Sequence, residues 1–204
     1  MSQIAIIDYG VGNLRSVEKA FAATGCEAIV TADENELRNA QRLVLPGVGA
    51  FGACMKALSE RGFDRLVREK VREGTPLLGV CVGMQLLFDE SDEFGATSGL
   101  GLIAGKVRRF ENDLVVPHVG WNRIYQKRPH VLFEGIEDGS FCYFVHSFYC
   151  ESADEGVIVG ETDYGGRYAS VVASGNIYGV QFHPEKSQDV GLRMLKNFGQ
   201  DFRI

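Results

Sequence analysis

Residues 76–85 read Pro76-Leu77-Leu78-Gly79-Val80-Cys81-Val82-Gly83-Met84-Gln85. An apolar run rises out of the turn Gly74-Thr75-Pro76, a cysteine between two glycines follows, and Met84 to Glu90 reads as helix. Strand, sharp turn and helix, with a nucleophilic side chain at the turn, is the pattern of a nucleophile elbow, here with sulfur in place of a hydroxyl. The glycines let the backbone bend and let a neighbouring strand come close. A cysteine at a helix N-terminus also meets the positive end of the helix dipole, which favours thiolate. A small buried core residue would give the same local pattern, so the rest of the chain has to discriminate.

Upstream of this stretch, short apolar runs alternate with helical patterns. Gln3-Ile4-Ala5-Ile6-Ile7, Ala28-Ile29-Val30 and Leu43-Val44-Leu45 read as strands covered on both faces. Between them lie a helix with Leu14, Val17 and Phe21 on one stripe, closed by Gly25, and a short helix capped by Asp33 and Glu36. Two further helical stretches, around Met55–Leu58 and Phe63–Val71, lead into the Cys81 strand. Four strands alternating with helices imply a parallel sheet with right-handed crossovers. Beyond residue 94 the chain becomes mostly β, with Asp-Gly, Gly-Gly and Gly-Asn turns between short strands, and a final helix spans about Val190 to Phe198. The expected fold is α/β: one domain over residues 1–204, a mixed and mostly parallel sheet with helices on both faces, extended by antiparallel hairpins.

Bulk properties narrow the function. The 204 residues carry a net charge of −6, so no basic footprint for nucleic acid exists. The five cysteines are odd in number and widely spaced, which implies neither a disulfide framework nor a zinc site and fits a reducing cytoplasm. No basic leader precedes the first strand and no run approaches 18 apolar residues; a cytosolic protein that does not engage a membrane is expected.

A thiol nucleophile needs a base, and the base needs an orienting group. Of the four histidines, His183 stands in Gly179-Val180-Gln181-Phe182-His183-Pro184-Glu185, just past an apolar strand. Carboxyl ends of parallel strands gather on one edge, where ligands bind, so His183 and Cys81 can meet there. Glu185 is placed to hold the imidazole in one tautomer. The amide of Val82 and the loop Pro46-Gly47-Val48-Gly49 are the candidate oxyanion donors, through Gly47, Val48 and Gly49. Gly10-Val11-Gly12 does not continue as a dinucleotide fingerprint, because position 15 is Arg15. His118 and His130 adjoin prolines and read as loop residues, while Trp121, between Gly120 and Asn122, reads as a turn residue that either packs or faces a partner.

The chain resembles the class I, or triad, glutamine amidotransferases. Gly79-Val80-Cys81-Val82-Gly83-Met84-Gln85 and His183-Pro184-Glu185 carry the general likeness. Asp8 to Val17, Pro46 to Phe51, Pro117 to Asn122, Tyr143 to Tyr149 and His183 to Ser187 match one subunit type within the family and span nearly the whole chain in order. Val82 replaces a more usual leucine, and Phe148 stands where tyrosine is common. The resemblance implies a glutaminase with Cys81, His183 and Glu185 as catalytic residues and no metal or cofactor. It places Gln85, Met84, His146, Ser147 and Phe148 against the glutamine. It further implies a (β/α)₈-barrel cyclase subunit as heterodimeric partner and ammonia acceptor, with Asn13, Trp121, Tyr143 and Lys186 near that interface and the ammonia gate. Alternatives are a glutaminase serving another pathway and a catalytically silent module of the same fold. A papain-like peptidase is disfavoured, since its cysteine opens a helix near the mature N-terminus.

Overall fold

Every apolar run before residue 82 becomes a strand of one sheet. In the computed structural model, which describes residues 4–110 and 114–200, the first half is β1 (Ile4–Ile7), α1 (Leu14–Ala23), β2 (Ala28–Thr31), α2 (Glu34–Asn39), β3 (Arg42–Gly47), α3 (Phe51–Glu60), α4 (Phe63–Arg72) and β4 (Leu77–Cys81). Gln3, read as the first residue of β1, lies outside the described residues. Strands β1, β3 and β4 are buried along their whole length, as expected for a parallel sheet covered on both sides. Helix α1 turns Val17, Ala20 and Phe21 inward, and α4 does the same with Phe63, Leu66, Val67 and Val71. The Asp33 carboxylate caps α2, accepting from the amides of Asn35 and Glu36 at 2.7 and 3.4 Å.

The helix expected from Met84 to Glu90 is a single turn, α5 (Val82–Gln85), followed by strand β5 (Phe88–Ser91). Leu86, Leu87 and Phe88 are fully buried, so no polar face exists for a helix to present. Their carbonyls are taken instead by the amides of Leu100, Leu102, Ile103 and Gly101. Four residues give little macrodipole, so activation of Cys81 rests on side chains rather than on the helix end.

The second half runs through β6 (Thr97–Ser98), β7 (Ile103–Arg109), β8 (His118–Arg123), β9 (Tyr125–Gln126), β10 (Phe141–His146), β11 (Phe148–Ser152), β12 (Ile158–Asp163), β13 (Arg167–Ser174), β14 (Ile177–Val180) and α6 (Gln188–Gly199). The main sheet has the order β2-β1-β3-β4-β14-β13-β11-β7-β5-β6, with β12 and β9 branching from β13. Strands from β2 to β14 run parallel, and β13 then pairs antiparallel with β14, β11 and β12. Strands β8 and β10 form a separate antiparallel ribbon. Buried Arg42 ties α6 down by donating to the Phe198 and Gln200 carbonyls at its C-terminal end.

The register positions the site. Val80 of β4 lies opposite Val180 of β14, and Gly47 of β3 lies opposite Cys81. Three parallel strands therefore release their next residues at one carboxyl edge.

Candidate active site

Cys81 has φ 56° and ψ −115°, a conformation that costs a non-glycine residue free energy. The surroundings hold it there. A Cβ on Gly83 would overlap the Leu45 carbonyl oxygen and lie 2.8 Å from its carbon. One on Gly47 would lie 2.7 Å from the Gly83 nitrogen, and one on Gly79 would lie 2.6 Å from the Gly83 oxygen. All three glycines are contact points between the elbow and the strands beneath it.

His183 arrives three residues after β14. Its amide donates to the Tyr143 carbonyl at 2.9 Å, and its own carbonyl accepts from the Ser187 hydroxyl at 2.7 Å. Pro184 to Lys186 then make one 3₁₀ turn, which brings Glu185 back against the ring. The imidazole Nδ1 lies 2.9 Å from Glu185 Oε1, with only 4% and 1% of the two side chains exposed. Cys81 also acts on this ring, favouring its protonated form. Asn13 Nδ2 donates to the same Glu185 oxygen at 3.2 Å.

Burial by itself disfavours an imidazolium at His183; hydrogen bonds and charge from Cys81 and Glu185 outweigh it and raise the ring to about 10. Burial likewise disfavours a charged Glu185, yet contact with His183, with help from Asn13, holds its carboxyl below the ordinary range. The ring is thus poised to take and keep a proton from the sulfur.

A cavity of about 290 Å³ opens over this group. Cys81, Val82, Gln85, His183 and Lys186 line it, together with Val48, Gly49, His146, Ser147 and Phe148. Of the sequence-derived site residues, Met84 does not line it. Its side chain is fully buried beneath the elbow against Gly179, where it fills the space that glycine leaves. Gly47 lies within β3, and Tyr143 sits on the outer face of the ribbon, its ring 6.0 Å from that of Trp121. Asn13 lies behind Glu185. Val48 and Gly49 are exposed at the cavity rim, and the Val48 carbonyl accepts from the Cys54 thiol at 3.3 Å.

Two expectations change. His118 is not a loop residue: it opens β8 and is 4% exposed, because alternation along the strand turns it inward. The same alternation puts Trp121 in a strand rather than a turn, 46% exposed beside Val119, Phe141 and Val145. Three participants went unread. Gln181 reaches Cys81 Sγ with its Nε2 at 4.0 Å and accepts from Gln85 Nε2 at 3.2 Å. Glu93 lines the cavity and accepts from the Phe51 amide at 2.6 Å. The Tyr9 hydroxyl braces the loop by donating to the Pro46 carbonyl at 2.6 Å.

The model of the class-I glutamine amidotransferase family matches residues 5–202. The chain belongs to that family. Within it, the imidazole glycerol phosphate synthase subunit HisH of Geobacter metallireducens is 51% identical over 205 residues, covering 97% of this chain and 98% of its own. The subunit of the same name from Bacillus cereus strain G9842 is 48% identical over 195 residues, covering 96% and 93%. Among solved structures, a glutamine amidotransferase superposes with TM-score 0.76 at 23% identity, covering 97% of this chain and 99% of its own. PurLQS from Thermotoga maritima superposes with TM-score 0.77 at 17% identity, covering 97% and 98%. At those identities the structures show a shared amidotransferase fold.

Proposed function

We propose that this chain is the glutaminase subunit of an imidazole glycerol phosphate synthase, acting in histidine biosynthesis. The observation that carries the proposal is His183, paired with Glu185 at 2.9 Å, lining the same cavity as Cys81. Near-full-length identity to the HisH subunits supports the pathway. Residues 1–204 act as one glutamine amidotransferase domain, in the cytoplasm, without metal or cofactor.

Cys81 Sγ attacks the side-chain amide carbon of glutamine, and His183 takes the thiol proton. The oxyanion is stabilised by the Val82 amide together with the backbone of Gly47, at the end of β3, and of the Val48-Gly49 loop that follows it; each such donor contributes roughly 10²–10³ in rate. As the C–N bond breaks, His183 returns the proton to the leaving nitrogen and ammonia departs. Water, activated by the same imidazole, then cleaves the thioester on Cys81 and releases glutamate. Glu185, steadied by Asn13, orients the ring and stabilises its charged form throughout. Gln85, His146, Ser147 and Phe148 hold the glutamine, with Met84 supporting the elbow from below.

The ammonia is consumed by a (β/α)₈-barrel cyclase subunit in a heterodimer, which converts PRFAR to imidazole glycerol phosphate and AICAR. The outer face of the β8–β10 ribbon supports a docking role, with Val119, Trp121, Phe141 and Val145 exposed together. Lys186, at the cavity mouth, places its Nζ 5.7 Å from the Tyr143 ring on that same face.

The test is glutamate release by the pure chain with and without the cyclase subunit, alongside ammonia-dependent synthesis by the pair. Cys81→Ala is expected to abolish glutamine use and leave ammonia-dependent synthesis intact. Loss of both together would contradict the division of labour.

A further inference from the structure

A buried polar chain runs along the inner face of the β8–β10 ribbon to the cavity wall. His146 Nδ1 lies 2.7 Å from the Phe148 carbonyl oxygen. A carbonyl has no proton to give, so His146 carries its proton on Nδ1 and its Nε2 is an acceptor. His118 Nδ1 approaches that acceptor at 3.1 Å.

The same direction follows from the far end. The Asn122 amide is fixed by two backbone groups: Oδ1 accepts from the Arg123 amide at 2.8 Å, and Nδ2 donates to the Asp163 carbonyl at 2.9 Å. Nδ2 also lies 3.3 Å from His118 Nε2, so that nitrogen accepts and the His118 proton sits on Nδ1. Backbone groups at opposite ends therefore impose one orientation, from Asn122 through His118 and His146 to the Phe148 carbonyl. The Tyr168 hydroxyl bridges the two rings, 3.1 Å from His146 Nε2 and 3.4 Å from His118 Nδ1. Burial pushes His118 down to about 4 and His146 to about 3, which keeps both neutral, as a link with a single proton requires.

Beyond the Phe148 carbonyl the chain continues. That oxygen also accepts from Gln85 Nε2 at 3.0 Å, Gln85 reaches Gln181, and Gln181 faces the Cys81 sulfur. We infer that His118 and Asn122 are positioning residues for glutamine use: by holding His146 in its Nδ1–H tautomer they fix the Phe148 carbonyl, the Ser147–Phe148 wall and the Gln85–Gln181 pair beside the nucleophile. The strand that starts this chain carries Val119 and Trp121 on its outer face, so a partner seated there presses on the element that sets the glutamine wall. The inference rests on the glutaminase reading.

The experiment pairs kinetics of the complex with cyclase against ¹⁵N NMR of the histidine side chains in the full chain. His118→Phe keeps the ring stacked on Tyr164 and Phe144, 4.0 and 5.1 Å away, but supplies no N–H. It is expected to raise KM for glutamine about tenfold, the effect of losing one buried hydrogen bond, with kcat within about twofold. His118→Asn returns a donor near Nδ1 and is expected to recover most of that loss. In the wild-type spectrum at pH 7 both rings are expected as neutral Nδ1–H tautomers. An unchanged KM in H118F, equal losses in H118F and a folded H118N, or either ring as the Nε2–H tautomer or an imidazolium would overturn the inference. If H118F does not fold, the spectrum decides. If the wild-type complex releases no glutamate, the glutaminase reading fails while the spectrum still judges the chain of hydrogen bonds.

Discussion

Gly79→Ala tests how tightly the elbow is seated. Gly79 lies between Leu45 and Gly179 in the sheet, with α5 directly above it. An added Cβ would sit 2.6 Å from the Gly83 oxygen and 2.8 Å from the Gly83 carbon and Met84 Cα, where ordinary contact begins at 3.4 Å. Backbone stands on the other side of that contact, so no side chain can swing aside. The elbow must retreat until 2.6 Å becomes at least 3.0 Å. Overpacking of this kind costs about 1–3 kcal/mol of stability. A 1 Å misplacement of reacting groups can cost roughly 10² in rate, so a shift of several tenths of an ångström is expected to lower kcat/KM about tenfold. Gly175→Ala is the control: its φ of 56° also disfavours alanine, but nothing lies within 4 Å. That change costs roughly 1–2 kcal/mol and leaves turnover alone. Urea unfolding and glutamate release by the complex read both variants. G79A matching G175A in stability and turnover would refute the close seating of α5 on β4.

Glu185→Gln removes a charge that raises His183, so the ring's pKa is expected to fall, as read by ¹⁵N NMR of the imidazole; kcat/KM is expected to drop about 10–100-fold. The stability effect has a defined window. His183, raised to about 10, stabilises the fold fully below its ordinary 6.5 and loses that effect as pH rises toward 10; Glu185, lowered, stabilises above its ordinary 4.5. E185Q is therefore expected to lose most stability, by urea unfolding, between pH 4.5 and 6.5, and little at pH 10. Asn13→Ala deletes the second hydrogen bond to Glu185 and is expected to cost about 1 kcal/mol of transition-state stabilisation, a drop of several-fold in kcat/KM. Trp121→Ala, at a half-exposed position, is expected to weaken cyclase binding about 10–100-fold by calorimetry while leaving the unfolding free energy within about 0.5 kcal/mol of wild type.

Much of this site was legible because its logic is local. Gly79, Gly83 and the apolar run before Cys81 encode the elbow, and His183-Pro184-Glu185 encodes a base with its orienting carboxylate two residues on. The doubly covered parallel strands showed as continuous apolar runs for the same reason. What escaped depended on contacts distant in sequence. Leu86-Leu87-Phe88 has neither a helical nor a strand period, being fully buried, and its carbonyls' pairing with residues 100–103 accompanies the end of the helix: Leu86 and Leu87 form a turn and Phe88 opens β5. His118 and Trp121 read as loop and turn residues because Pro117 and Gly120 look like turn formers, while the partner strand β10 that imposes alternation begins only at Phe141. Gln181 lay in plain view in the histidine motif; the signal for it was its place as the first residue beyond a buried strand at the sheet's carboxyl edge.

The most direct measurement is mass spectrometry of the complex after reaction with an electrophilic glutamine mimic. One label on Cys81, absent in Cys81→Ser and slowed at least tenfold in His183→Ala, is the expected result. A wild-type protein that stays unlabelled, or takes the label on another cysteine while turning over glutamine, would contradict the claim that His183 and Glu185 activate Cys81 as the nucleophile.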